Sequence, residues 1–245
     1  MMKEGLPESY LKSEKLKLCR QIILDCSGIY IEVTAEDYAF LNDKELELTL
    51  SILNRSKLNI AISDLKINGN NATEINKIIK AGDEIEEKFI IKPSTILSGP
   101  YWLRNEFSDV FDIDEIPEKG QAEAPATLIA SLSFASDQHS FTIDLPVEYV
   151  WRVPSYGEKR RDLIRTPEFT GTFDEKIVIV NGSQSKTVRM KVHAFKDSLL
   201  DKVNIQTPKG WTVSPSEIAI DIKEKQQEQW VESELQSHNE PATPD

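Results

Sequence analysis

Hydrophobic positions follow two different periods along the chain. Near the N-terminus they recur at helical spacing, after Ser13 and before Gly28, which are plausible start and stop signals. The members of this apolar stripe are Leu16, Cys19, Ile22, Ile23 and Cys26. From residue 29 onward the period falls to two, as at residues 29–33 and 46–52, which is the spacing of a strand with one buried face. The pattern predicts one short helix followed by strands.

Turn-forming residues separate the predicted strands at intervals of about ten residues. An Asn-Gly-Ser sequence at residues 181–183, between the apolar runs 176–180 and 187–193, is typical of a β-hairpin. The longest predicted pair joins residues 126–135 to residues 141–153, and Pro146 in the second run indicates an edge or a bulge. We therefore expect an all-β protein, with two antiparallel β-sandwich domains of immunoglobulin-like type behind one short α-helix.

A length of 245 residues favours two domains. Residues 154–161 combine turn residues with charge, so we predict a linker there, between a first sandwich at 29–153 and a second at 162–235. Residues 236–245 are polar and contain two prolines, which predicts a disordered tail. The helix within residues 1–28 either docks on the following sheet or marks the junction to a domain that is missing from this chain.

The balance of charge argues against two classes of partner. A net charge of −12 repels nucleic acid and anionic lipid, so neither is expected as a partner. No apolar run approaches about 18 residues, which predicts no membrane insertion, and the polar N-terminus predicts no signal peptide. The basic run at residues 159–161 is expected to pair with acidic neighbours rather than to bind phosphate.

Motifs that carry catalysis or bind metal are missing from the sequence. The three histidines share no motif, and no zinc-ligand spacing, nucleophile elbow or phosphate-binding glycine loop occurs. We therefore expect no enzyme activity, catalytic residue, metal ligand or cofactor. The acidic clusters at 83–87 and 109–115 could be mistaken for calcium ligands, but they lack the spacing of an EF-hand loop. Cys19 and Cys26 lie about 10.5 Å apart along a helix, too far for a disulfide.

One aromatic pair provides the weak candidates for ligand binding. Gly99 and Pro100 punctuate the backbone, and Tyr101, Trp102 and Leu103 follow directly. These rings either anchor a loop on the core or form a stacking platform for a ligand. The acidic segment 104–126 around them shows no period and predicts a long surface loop, with Val110 and Phe111 turned inward.

Several segments resemble a known family. Residues 100–103, 145–151 and 208–215 are similar, in the same order, to segments of PIG-L/LmbE-like deacetylases of the long form typical of Bacteroidetes. Residues 24–29 look like the helix that follows the catalytic domain of those proteins, and residues 54–56 resemble one of their turns.

The resemblance implies a module without chemistry of its own. The zinc-binding motifs of the family's α/β catalytic domain are not in this sequence, so no catalytic or metal residue is carried over. The chain resembles the non-catalytic β-sandwich region, and its second domain resembles the modules called NEW3. The implied partner is the missing catalytic domain, and the implied location is periplasmic or secreted. The alternative is a stand-alone carbohydrate-binding protein that uses Tyr101 and Trp102.

Overall fold

A computed structural model describes residues 10–105, 109–113, 116, 118–121, 124–136, 139–180 and 184–238. The described chain is all-β apart from one α-helix and a single turn of 3₁₀-helix. It divides between Arg165 and Thr166 into two compact units, which we treat separately.

The described residues of unit 1 form the α-helix, ten strands and the 3₁₀ turn. In chain order these elements are α1 (Tyr10–Ser27), β1 (Ile29–Ala35), β2 (Ala39–Phe40), β3 (Leu46–Asn54), β4 (Ile60–Ile67), β5 (Asn70–Ile79), β6 (Glu84–Ile91), the 3₁₀ turn (Tyr101–Leu103), β7 (Ile129–Ser136), β8 (His139–Val153), β9 (Gly157–Asp162) and β10 (Ile164–Arg165). The main sheet has the order β5-β4-β7-β8-β1-β3-β6, β9 pairs with β8, and β10 pairs with β2.

Strand β8 links two sets of strands. Up to Pro146 it pairs with β7, and from Val147 it pairs with β1 and then also with β9. Pro146, which lacks a backbone N–H, therefore lies where the strand changes partners. The pattern predicted antiparallel pairing, but β1 with β8 and β2 with β10 are parallel. These two ladders are short, and each joins strands that are distant in sequence.

Period-two patterning builds the core of unit 1. Every second residue of β3, from Leu46 to Asn54, is buried, and the apolar members pack with residues from β1, β4, β7 and β8. Leu24 is the residue of α1 that joins this core, at 7% exposure. Leu16 and Cys19 are half-buried, whereas Ile22, Ile23 and Cys26 are exposed. The predicted helical stripe therefore contacts the core over part of its length.

Unit 2 contains six strands with a core of its own. They are β11 (Phe169–Phe173), β12 (Ser185–Ala194), β13 (Leu199–Asn204), β14 (Trp211–Ser214), β15 (Glu217–Ile222) and β16 (Glu228–Ser237). One sheet has the order β11-β12-β16-β14, and β13 pairs with β15. Side chains from both sheets, among them Val192, Val231 and Ile220, share one apolar cluster.

The predicted linker is part of unit 1. Residues 154–156 form a turn, and β9 pairs with β8 over Gly157–Asp162, so the division into units falls after Arg165. The charges that suggested a linker hold this strand in place. The Arg160 guanidinium donates to Glu32 at 2.8 Å, Glu148 at 3.1 Å and Glu158 at 2.6 Å. The basic run thus pairs with acidic neighbours at Arg160, as predicted.

The predicted hairpin around residues 181–183 does not form as expected. Residues 175–180 have no strand structure, and β12 pairs on that side with β11. Ile177 and Ile179 are 78% and 80% exposed as a result. The turn at 181–183 lies outside the described residues. At the C-terminus, β16 continues to Ser237, two residues into the predicted tail, and residues 239–245 are not described.

Candidate functional site: the aromatic loop

The aromatic loop comprises the described residues between Thr95 and Thr127, which connect β6 to β7. Its 3₁₀ turn begins after Pro100, whose φ of −56° suits the start of a helical turn. The Leu103 N–H donates to the Pro100 carbonyl at 3.1 Å, and the Arg104 N–H donates to the Tyr101 carbonyl at 3.2 Å. Pro100 and these two bonds form the 3₁₀ turn at the position where the sequence punctuates the backbone.

Tyr101 and Trp102 have different environments. Tyr101 is half-buried, and its hydroxyl accepts a hydrogen bond from the Gly120 N–H at 3.3 Å. Trp102 is 42% exposed, and its ring meets the Tyr101 ring edge-on, with the centroids 5.0 Å apart. Such an edge-to-face pair holds an aromatic ring in a defined orientation. Tyr101 therefore anchors the loop, and Trp102 presents a supported ring to solvent.

A bidentate ion pair closes the loop behind the aromatic pair. The Arg104 Nη1 and Nη2 atoms donate to the two carboxylate oxygens of Glu118 at 2.8 and 3.0 Å. The hydrogen bonds from Arg104 lower the pKa of Glu118 from its ordinary value, and a backbone hydrogen bond lowers it further. The bidentate geometry of this ion pair restricts the Arg104 and Glu118 side chains. Nearby, the Asn105 amide donates to the Asp112 carbonyl at 3.0 Å.

A small cavity of about 200 Å³ lies beside the ion pair. It is lined by Arg104 and Glu118 together with loop residues such as Leu97, Ser98 and Pro125. Ser98 connects this part of the loop to β10, because the Arg165 N–H donates to its hydroxyl at 2.8 Å and the Ser98 N–H donates to the Arg165 carbonyl at 3.1 Å. The loop is thus tied to the sheet as well as to itself.

Large apolar side chains are exposed along the same loop. They are Ile96, Leu97, Trp102, Leu103, Val110 and Phe111. Val110 and Phe111 were predicted to turn inward, and the structure places both at the surface. A loop that exposes several apolar groups together with tryptophan and arginine has features of a protein interface. Sequence reasoning did not single out Ile96 and Leu97, and for Val110 and Phe111 the absence of a period was a usable signal of exposure.

The groups that could carry acid–base or metal chemistry are dispersed. His193 contacts Gln226 at 3.1 Å and Glu228 at 3.5 Å, and His238 contacts Thr212 at 2.9 Å. No three His, Cys, Asp or Glu residues within the described ranges are arranged to hold a metal ion. No helix in the described part of the chain has the length and apolar character needed to cross a membrane.

Comparisons with known proteins leave the family of this chain open. No family model matches it, and no curated protein matches it. Among solved structures, it is similar to the secreted serine protease VesC from Vibrio cholerae, with 7% identity and a TM-score of 0.27. That alignment covers 91% of this chain and 49% of the protease, so the chain spans about half the length of that protein.

Proposed function

We propose that this chain is a non-catalytic interaction module and that the aromatic loop is its binding surface. The observation that carries the proposal is the exposed ring of Trp102, supported by Tyr101, on a loop that exposes further large apolar side chains. Hot spots of protein interfaces are enriched in tryptophan, tyrosine and arginine and lie among apolar neighbours. The Arg104–Glu118 pair and the Tyr101 hydroxyl bond hold the surface in shape before binding.

The partner we propose is the catalytic domain of a PIG-L/LmbE-like N-acetylglucosaminyl deacetylase. The similarity of residues 100–103, 145–151 and 208–215 to that family supports this choice, since the first of these segments is the start of the aromatic loop itself. A role beside an exported enzyme places the chain in the periplasm or outside the cell.

We also propose that each unit is a β-sandwich of immunoglobulin-like type. In unit 1 the long strand β8 changes partners at Pro146, as strands do when they pass from one sheet of a sandwich to the other. In unit 2 two separate sheets contribute side chains to a single core. More specifically, we propose that unit 2 is a NEW3-like domain.

The direct test measures binding to a separately expressed PIG-L/LmbE-like catalytic domain. If such a domain is encoded in frame with this sequence, that domain is tested first. Trp102→Ala should weaken binding by at least tenfold, which is the usual effect of removing a hot-spot residue. Trp230→Ala is the matched control, because Trp230 is a tryptophan of nearly equal exposure in unit 2. Equal effects of the two variants, or no binding by the wild type, would refute the proposal.

The second candidate is a stand-alone carbohydrate-binding protein that stacks a sugar on Trp102. Its support is the Trp102 ring, which is 42% exposed and is held by the edge-to-face contact with Tyr101. This candidate is tested by affinity electrophoresis in gels that contain fragments of insoluble polysaccharides. Retardation that Trp102→Ala abolishes and Trp230→Ala preserves would favour this candidate over the interaction module.

A further inference from the structure

A second concave surface lies on unit 1, on the face of the main sheet near the C-terminal half of α1. We call it the sheet-face groove. Its volume is about 620 Å³, within the range of ligand sites. It crosses four adjacent strands, β5, β4, β7 and β8, and Arg20 of α1 lines it from the helix.

Two rows of side chains, most of them small, form the floor of the groove. In the first row, Ile78, Ala61, Ala135 and Ser140 are consecutive partners across the four strands. In the second row, Ser133 and Thr142 are opposite each other with their hydroxyl oxygens 3.4 Å apart. Four strands span about 14 Å, so the floor is long enough for an extended ligand that lies across them.

The backbone is irregular at the groove. Asn76 of β5 has a φ of +43°, a left-handed conformation that is uncommon for a residue other than glycine. Opposite it, the pairing of β4 with β5 shifts register between Ile62 and Asp64. Together these irregularities bring Ser63, Asn76 and Lys77 into the groove lining. Bulges and strained residues of this kind are over-represented at functional sites because they redirect side chains.

The lining chemistry favours one class of ligand. Strands β4 and β7 are paired on both sides where they cross the groove, so a peptide that lies over them cannot add as a further strand. Recognition there must come from side chains, which here are hydroxyls, an amide and the Arg20 guanidinium beside Ala61 and Ala135. Lys77 is already paired with Glu87, and a net charge of −12 opposes the approach of anions.

Arg20 provides unused donors at the groove. Its side chain is half-buried, and it forms no ion pair or hydrogen bond with any residue in the described part of the chain. A guanidinium has five N–H donors, which suit the ring and hydroxyl oxygens of a sugar. We propose that the sheet-face groove binds a neutral oligosaccharide, and that this site is independent of the aromatic loop.

The test is calorimetric titration of the full chain with cellohexaose, chitohexaose, xylohexaose and mannohexaose, and with oligogalacturonate as the acidic comparison. Ala135→Trp should fill the first row and weaken binding of the recognised neutral hexaose at least tenfold. Ala219→Trp is the matched control, because Ala219 is an exposed strand residue in unit 2. Arg20→Gln and Thr142→Ala should each weaken binding by about three- to tenfold.

If Ala135→Trp lowers the melting temperature, Ser140→Trp on the neighbouring strand is used as a second blocking variant. Loss of binding in either blocking variant, with binding retained in Ala219→Trp and Trp102→Ala, supports the groove. The proposal is overturned if no neutral hexaose binds, if oligogalacturonate alone binds, or if both blocking variants bind as the wild type does. Loss in Trp102→Ala alone would assign sugar binding to the aromatic loop instead.

Discussion

At the scale of single residues, Asn54 shows how one buried polar side chain can tie the end of a strand to the following loop and to the end of another strand. Its amide donates to the carbonyls of Leu58 at 2.8 Å and Ile79 at 3.1 Å, and its oxygen accepts from the Ser56 N–H at 3.0 Å. The side chain is fully buried at the end of β3, between the start of β4 and the end of β5. Although Asn54 begins a glycosylation sequon, its amide is inaccessible in the folded protein.

Asn54→Ala should destabilise the protein by about 3 kcal/mol. The substitution leaves the buried Ile79 carbonyl without this donor and removes the acceptor of the Ser56 N–H and hydroxyl, and such losses cost about 1–3 kcal/mol each where water cannot replace them. Urea unfolding monitored by circular dichroism measures the change. Asn71→Ala is the matched control, because Asn71 is an exposed asparagine of another sequon and should change stability by less than about 0.5 kcal/mol.

The Arg104–Glu118 pair gives the aromatic loop a dependence on pH. The folded state lowers the pKa of Glu118, so the ion pair stabilises the loop fully above the ordinary glutamate pKa of about 4.3. This stabilisation is lost as the pH falls through the lower pKa that Glu118 has in the folded protein. In protein labelled with fluorotryptophan, the Trp102 signal should shift toward its unfolded position as the pH falls below the ordinary glutamate pKa. In Glu118→Gln it should be shifted already at pH 7. A wild-type signal that is constant from pH 7 to pH 3 would contradict this.

At the scale of elements, α1 contains two kinds of apolar position. Leu24 belongs to the core of unit 1, whereas Ile22 and Ile23 are exposed on the same helix. Leu24→Ala should lower the free energy of unfolding by about 2–4 kcal/mol, through lost burial and a residual cavity. The double change Ile22→Gln with Ile23→Gln should leave it within about 1 kcal/mol. If chemical denaturation shows equal losses for the two variants, the helix packs differently.

The sequence predicted elements well where burial and period agree. The alternation in β3 and β8 identified buried strands, because one face of each packs into a core. It failed at residues 176–180, where a strand-like run has no strand structure, and β12 pairs on that side with β11 over residues 190–194. Pairing between distant segments, such as β1 with β8, has no local signal. For the candidate site, Tyr101 and Trp102 were found from composition, but the Arg104–Glu118 closure and the sheet-face groove depend on tertiary structure.

At the scale of the whole molecule, the proposed role assigns the chemistry to the partner and not to this chain. If the chain is an interaction module of this kind, the purified protein should release no acetate from N-acetylglucosamine derivatives, with or without added zinc. Coupled detection of acetate measures this, with a PIG-L/LmbE-like catalytic domain as the positive control. Zinc-dependent turnover that survives repurification and a change of expression host would refute the expectation.

The whole molecule also balances net charge against exposed apolar surface. A charge of −12 keeps copies apart at pH 7, although Ile22 and Ile23 of α1 and Ile177 and Ile179 of unit 2 are exposed. Salt shortens the Debye length from about 30 Å at 0.01 M to about 3 Å at 1 M, which removes the repulsion and leaves the apolar attraction.

We therefore expect the apparent mass in light scattering to rise with sodium chloride at pH 7.5, and to rise at low salt as the pH approaches the isoelectric point near 4.9. Replacing the four isoleucines by glutamine should suppress both increases, because the substitutions remove apolar surface without changing net charge. Replacing one pair at a time shows which surface associates. A wild-type mass that stays monomeric at 1 M salt would show that these residues do not drive self-association. A rise in mass that persists in the fourfold variant would assign self-association to another surface, and the aromatic loop is the first such surface to test.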